Sequence, residues 1–145
     1  MSTFRPMLSE DYPVVLEILN EWKPTNISKP QFDDFLSCKG PNHSTFVLQV
    51  GSEIVGFATV LLELKLIHDG AYVAHIEDVC VARKHQRQRY GQVLVEFLVQ
   101  YAKSKNCYKV ILNCHPALIS FYEKNGFCHR NVEMSLYFDS KNWKE

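Results

Sequence analysis

No two of the five cysteines in this 145-residue chain form a C-x-x-C pair, and their number is odd. Neither a disulfide framework nor a zinc site is suggested by such a set. Cys38, Cys80, Cys107, Cys114 and Cys128 are therefore read as reduced thiols. Cys80 and Cys114 fall in apolar, strand-like runs, where a thiol serves as a small hydrophobe. Long apolar runs are also missing, and none approaches the roughly 20 residues that span a bilayer. The opening MSTFRPMLSEDY lacks the charged-then-apolar pattern of a secretion signal. The expected address is cytoplasmic. Excess charge of either sign is absent, since 16 Lys and Arg balance 16 Asp and Glu. A neutral chain has no whole-surface attraction for nucleic acid or membrane, so any anion recognition must be local. No internal repeat, low-complexity tract or linker interrupts the sequence.

What is present suits one compact domain over 1–145, with 46% hydrophobic and 22% charged residues. TFRPM reads as a first strand, and Ser9 or Asp11 can cap the helix that follows. Val15, Ile18, Leu19 and Trp22 stand at i, i+3, i+4, i+7, which marks one buried helical face. Ser28 and Pro30 open a short second helix carrying Phe32, Phe35 and Leu36. From Ser44 the period changes to two. TFVLQV and EIVGFATVLLEL flank a turn at Gly51-Ser52, HDG makes another turn at 68–70, and AYVAHIEDVCVA is a further strand. Val93, Leu94, Phe97, Leu98 and Tyr101 form a helical stripe that Val95 and Val99 widen. KVILNC follows as a strand expected to be covered on both faces. ALISFYEKN is a short helix stopped by Gly126 at C′, and VEMSLYF is a closing strand. The fold class is mixed α/β: an antiparallel first half, then a β-α-β unit from Val73 to Cys114 with parallel pairing.

Between that strand and the long helix lies HQRQRYGQ, residues 85–92. The first N–H groups of a helix have no internal partner, and the helix dipole adds partial positive charge there. Such a terminus accepts phosphate. Arg87 and Arg89 would add charge-assisted bonds, and Gly91 would allow close backbone approach. A solvated basic loop is the plainer reading of the same residues. The stretch is not a G-x-x-x-x-G-K-[ST] loop and not a G-x-G-x-x-G fingerprint, because it holds one glycine.

Element order and loop together resemble the GNAT superfamily of N-acetyltransferases. Its acyl-CoA signature, Gln/Arg-x-x-Gly-x-Gly/Ala, stands here as Gln86-Arg87-Gln88-Arg89-Tyr90-Gly91, with Arg89 in place of the middle glycine. AHIEDVCV, CYKVILNC and FYEKNGF resemble one branch closely, the glucosamine 6-phosphate N-acetyltransferases. The resemblance runs from FRPM to VEMSLYF.

That resemblance implies a central mixed sheet flanked by helices, and acetyl transfer from acetyl-CoA to the amine of glucosamine 6-phosphate on the route to UDP-N-acetylglucosamine. The amine attacks the thioester directly, with no cysteine nucleophile and no metal. Gln86 to Gln92, including Gln88 and Tyr90, would cradle the pyrophosphate. Backbone groups at Val79, Cys80 and Val81, where the strand splays, would hold the pantetheine and the thioester oxygen. Tyr122 would donate to the leaving thiolate, and the carbonyl of Asn113 would orient the attacking amine. Glu77 would face the sugar, with Asp78 beside it. Lys65, His68, Tyr108 and Lys109 match sugar and phosphate contacts. Tyr137 stands where that branch places an arginine reaching the phosphate across a homodimer that shares the last strand; Arg130 is a nearby substitute. Two other functions stay open: acetylation of another primary amine, such as a protein N-terminus or polyamine, and non-catalytic acyl-CoA binding.

Overall fold

The stretches of period 2 and period 3.6 become strands and helices largely where the sequence places them, in a computed structural model that describes residues 1–138. The chain divides into two compact units, the first ending at Leu112 and the second beginning at Asn113.

The first unit holds β1 (Ser2–Pro6), α1 (Tyr12–Trp22), α2 (Lys29–Cys38), β2 (His43–Val50), β3 (Glu53–Leu64), β4 (Tyr72–Val81), α3 (Tyr90–Ser104) and β5 (Cys107–Ile111). The five strands form one sheet in chain order. β1 to β4 pair antiparallel as a meander, and β4 pairs β5 in parallel through the α3 crossover. Ser28 caps α2 as expected: its Oγ accepts the Gln31 N–H at 3.2 Å, and Gln31 Oε1 accepts the Ser28 N–H at 2.8 Å. Asp11 occupies the N-cap position of α1, but its carboxylate serves other donors. It accepts both Arg5 Nη atoms at 2.8 Å and the Leu8 N–H at 2.7 Å. Burial pushes this carboxyl up, yet those bonds outweigh burial and hold it below its ordinary range.

Alternation along the strands gives the sheet two apolar faces. Val47, Phe57, Cys80 and Ala82 pack with Val15 and Ile18 of α1 and Phe32 of α2. Leu48, Gly56 and Ile76 project the other way, toward α3, whose Leu94, Val95 and Leu98 are fully buried. Burying each such side chain contributes about 1.5–3 kcal/mol. Phe97 stacks on Phe4 at 3.9 Å and meets Phe46 edge-on at 5.0 Å. Trp22 departs from the expected stripe. It is half exposed and has Lys23 Nζ 5.4 Å from its ring.

β5 also departs from expectation. Among the described residues it is an edge strand on which Tyr108, Lys109 and Ile111 are exposed, so the cover expected on both faces is not found there. The strand ends at Ile111, which leaves Cys114 exposed outside it. The second unit contains α4 (Ile119–Lys124), which stops at Asn125 and Gly126, the latter with φ 91°. The closing strand is not formed: residues 132–138 have no ladder partner among the described residues. A strand exists through its pairing. Here an apolar i, i+2 row, Val132, Met134, Leu136 and Phe138, stands exposed in a single copy.

Candidate active site

β4 outruns its parallel neighbour. Its last pairing with β5 is His75 opposite Ile111, and β4 continues from Ile76 to Val81. Residues 76–81 thus have no β5 ladder partner among the described residues, in the region where a splay is expected around Val79, Cys80 and Val81. On its other side, a β-bulge against β3 bends β4 there. Glu77 pairs with Thr59 and Cys80 with Phe57, so two residues, Asp78 and Val79, stand opposite one. Asp78 takes φ 52°, a left-handed conformation that aspartate tolerates better than most residues. The simple alternation of side chains along the strand is interrupted there. Glu77 is half-buried and Asp78 is exposed.

Gly56, which belongs to no motif in the sequence, supports this bend. A Cβ on Gly56 would lie 2.6 Å from the Cys80 carbonyl oxygen and 3.1 Å from Leu94 Cδ1. Only glycine lets β3 approach β4 and α3 this closely at the point where β4 bends. A lone glycine inside a strand pattern was the available signal.

Beyond Val81 the chain makes a 3-10 turn at Arg83–His85 and then the loop that leads into α3. Arg87 and Arg89 both adopt left-handed backbone, φ 65° and 66°, on either side of Gln88. Alternating handedness of this kind turns successive N–H groups into one concavity, a nest suited to an anion. Arg89 is the N-cap of the 15-residue α3 and gives it no side-chain cap, so the first-turn N–H groups are left for another acceptor. Arg89, at the position of the signature's middle glycine, thus holds a conformation that glycine adopts without strain. An arginine there costs about 1–2 kcal/mol. Arg89→Gly is accordingly expected to keep or raise Tm while Arg89→Val lowers it, as thermal unfolding followed by circular dichroism would record. Gln86, Arg87, Gln88 and Arg89 are exposed; Tyr90, Gly91 and Gln92 are half-buried. Gln92 Nε2 donates to Glu96 Oε1 at 2.9 Å within the helix.

Cys80 lies on the buried face of the bend. Burial, helped by the charge of Asp78, pushes its thiol up to about 12. It stays protonated across any physiological range, which fits a packing role. Iodoacetamide at pH 8 should alkylate the exposed Cys38, Cys114 and Cys128 in the native protein and spare Cys80, as read by peptide mass spectrometry.

The expected sugar contacts separate into two places. The His68 ring meets Tyr108 at a tilt of 37° with centroids 4.2 Å apart, and Lys109 Nζ sits 5.7 Å from the Tyr108 ring. Lys65 faces Glu63 at 3.4 Å, and His75 Nε2 lies 2.9 Å from Glu63 Oε1, which holds Glu63 below its ordinary range. Lys109 pairs with Val73, four residues before Glu77. At about 3.3 Å per residue, that places the cluster about 13 Å along β4 from Glu77. In the second unit, Asn113 is exposed, and Tyr122 is buried between the rings of Phe121 at 4.9 Å and Phe127 at 5.8 Å. Tyr137 is exposed. No group of three or more His, Cys, Asp or Glu with metal-binding geometry occurs among the described residues. No described helix is long and apolar enough to cross a membrane.

Residues 4–127 match the family model of the acetyltransferase (GNAT) family. The chain belongs to the GNAT family. It is an acetyltransferase, and GNAT acetyltransferases take acetyl-CoA as co-substrate. Glucosamine 6-phosphate N-acetyltransferase of Candida albicans is 35% identical over 94% of this chain and 95% of its own length. Glucosamine 6-phosphate N-acetyltransferase 1 of Oryza sativa is 35% identical over 85% of this chain and 78% of its own. The crystal structure of the Arabidopsis thaliana glucosamine-6-phosphate N-acetyltransferase superposes with a TM-score of 0.87 at 30% identity, covering 96% of this chain and 99% of that one.

Proposed function

We propose that this GNAT enzyme acetylates the amine of glucosamine 6-phosphate, forming N-acetylglucosamine 6-phosphate and CoA on the route to UDP-N-acetylglucosamine. The observation that carries this is the 35% identity, over 94% of the chain, to a relative of that name. In this reading residues 1–145 act as one catalytic domain, since the family match crosses from the first unit into the second.

The nest at Arg87–Arg89 and the start of α3 take the pyrophosphate. Backbone groups of Val79, Cys80 and Val81, exposed by the bend, hold the pantetheine arm and polarise the thioester oxygen. The neutral amine, oriented by the Asn113 carbonyl and with Glu77 at the sugar, attacks the thioester carbon. A C–N bond forms, the C–S bond breaks, and the electron pair leaves on sulfur. Tyr122 delivers a proton to that thiolate. The proton lost by the amine passes to water or a carboxylate, because a backbone carbonyl is too weak a base to keep it. No covalent enzyme intermediate is involved, and the raised Cys80 thiol supports that.

The exposed apolar row at 132–138 and the uncovered edge strand β5 support a homodimer built through the last segment. In such a dimer Lys65, His68, Tyr108, Lys109 and Tyr137 would complete a sugar-phosphate site. A neutral chain with no long apolar helix among its described residues supports a cytoplasmic enzyme. Tyr137 favours one second reading, acetylation of a different amine, since a tyrosine brings no charge to a phosphate. Incubation with acetyl-CoA and glucosamine 6-phosphate, following thiol release and identifying the product by mass spectrometry, tests the proposal. Absence of the N-acetylated phosphosugar would defeat it.

A further inference from the structure

The phosphate loop is unusually poor in glycine for its shape. Arg87 and Arg89 hold left-handed backbone that glycine would adopt freely. Strained residues of this kind persist where the surrounding structure over-determines them. The turn just before the loop is tied down on two sides. Glu21, near the C-terminus of α1, accepts the Arg83 N–H at 3.1 Å on Oε1, and its carbonyl accepts Arg83 Nη2 at 2.7 Å. Glu53, the first residue of β3, pairs through Oε1 with Lys84 Nζ at 2.5 Å. The same oxygen lies 3.1 Å from His85 Nε2, a buried nitrogen out of line for a full hydrogen bond. The His85 ring meets Tyr90, the first residue of α3, edge-on at 6.1 Å. The ties thus reach both ends of the loop: Arg83–His85 leads into it and Tyr90 follows it.

We infer that Glu53 and Glu21 are positioning residues, which clamp the Arg83–His85 turn and so hold the Arg87–Arg89 loop in its anion-binding shape. They do this without touching the ligand: both are acidic and would repel a pyrophosphate in direct contact. The Lys84 bond to Glu53 holds Glu53 below and Lys84 above their ordinary ranges, as a persistent pair would. A signature with its middle glycine needs less support of this kind. The clamp is the counterpart of having Arg89 in that place.

This inference rests on acetyl-CoA being the ligand of the loop, and the test separates the two. The wild-type protein, Glu53→Gln, Glu21→Ala, and the charge-exchanged pair Glu53→Lys with Lys84→Glu are titrated calorimetrically with CoA and assayed with acetyl-CoA and glucosamine 6-phosphate. Each single variant is expected to raise Kd for CoA and KM for acetyl-CoA by about 3- to 5-fold, the range open to an exposed ion pair. kcat and the acceptor KM should stay at their wild-type values, and charge exchange should recover most of the loss. Glu53→Gln should cost little when added to Arg89→Gly, because a glycine loop no longer depends on the clamp. The same penalty in both backgrounds, or an equal fall in kcat and in both affinities, would overturn the clamp. If Glu53→Gln fails to fold, Lys84→Met cuts the same tie from the other side and is read against the same outcomes. A wild-type protein that does not bind CoA would instead remove the acetyl-CoA reading, and the clamp's purpose with it.

Discussion

Tyr122→Phe should lower kcat by about 10²-fold while leaving the Kd for CoA close to its wild-type value. The substitution removes one hydroxyl and keeps the ring. Phe121 and Phe127 pack edge-on against that ring, so its burial is retained. A purely structural hydroxyl would contribute about 0.5–1.5 kcal/mol and show itself in Tm. A proton donor to the leaving thiolate contributes to the transition state only, so its loss appears in kcat and in kcat/KM together. The expected loss lies at the low end of the general-acid range because a thiolate, with a thiol pKa near 8.5, leaves tolerably without a proton. Steady-state kinetics beside a melting curve decides the matter. A normal kcat with a lowered Tm would make Tyr122 a core residue.

Glucosamine 6-phosphate should exceed glucosamine, spermidine and a short peptide amine in kcat/KM by about 10²-fold or more. One charge-assisted contact to the phosphate contributes about 1.5–3 kcal/mol. Two of them reach that ratio even with incomplete additivity, at about 1.4 kcal/mol per tenfold. Lys109, Lys65 and Arg130 are the candidate cations; Lys65 already faces Glu63 at 3.4 Å, which dilutes its charge, so Lys109 should carry more of the preference. Since Tyr137 supplies no charge, the KM for the phosphosugar should be high and should fall in Tyr137→Arg. Glu77→Gln should damage turnover more than CoA binding. If the phosphosugar is not the best of the four acceptors, the substrate assignment is lost and the acetyltransferase remains.

Local rules made the scaffold readable from the amino-acid order. The stripe Leu94, Phe97, Leu98, Tyr101 specifies α3 because burial of one face at period 3.6 leaves few alternatives. Ser28 and Gln31 specify the start of α2 through a reciprocal cap. A strand followed by a long helix and another strand requires a right-handed crossover, which gives the parallel β4–β5 pair. The family itself was legible, since AHIEDVCV, CYKVILNC and FYEKNGF are contiguous motifs.

The tertiary structure decided what depends on residues far apart in the chain. The bend at Asp78 is a mismatch of register with β3, visible only when both strands are aligned. The need for Gly56 arises from the Cys80 carbonyl, 24 positions away. Glu21 and Glu53 are unremarkable acids in sequence; they meet Arg83 and Lys84 because α1 and the start of β3 come together beside the end of β4. The segment 132–138 has the alternation of a strand, but pairing needs a second backbone, and a pattern of side chains cannot provide one. Sequence alone thus determined the family, the order of elements and the faces they bury, because those follow from periodicity and contiguous motifs. The shape of the proposed acyl-CoA site followed from register, strain and long-range ion pairs, which exist only once the chain has folded.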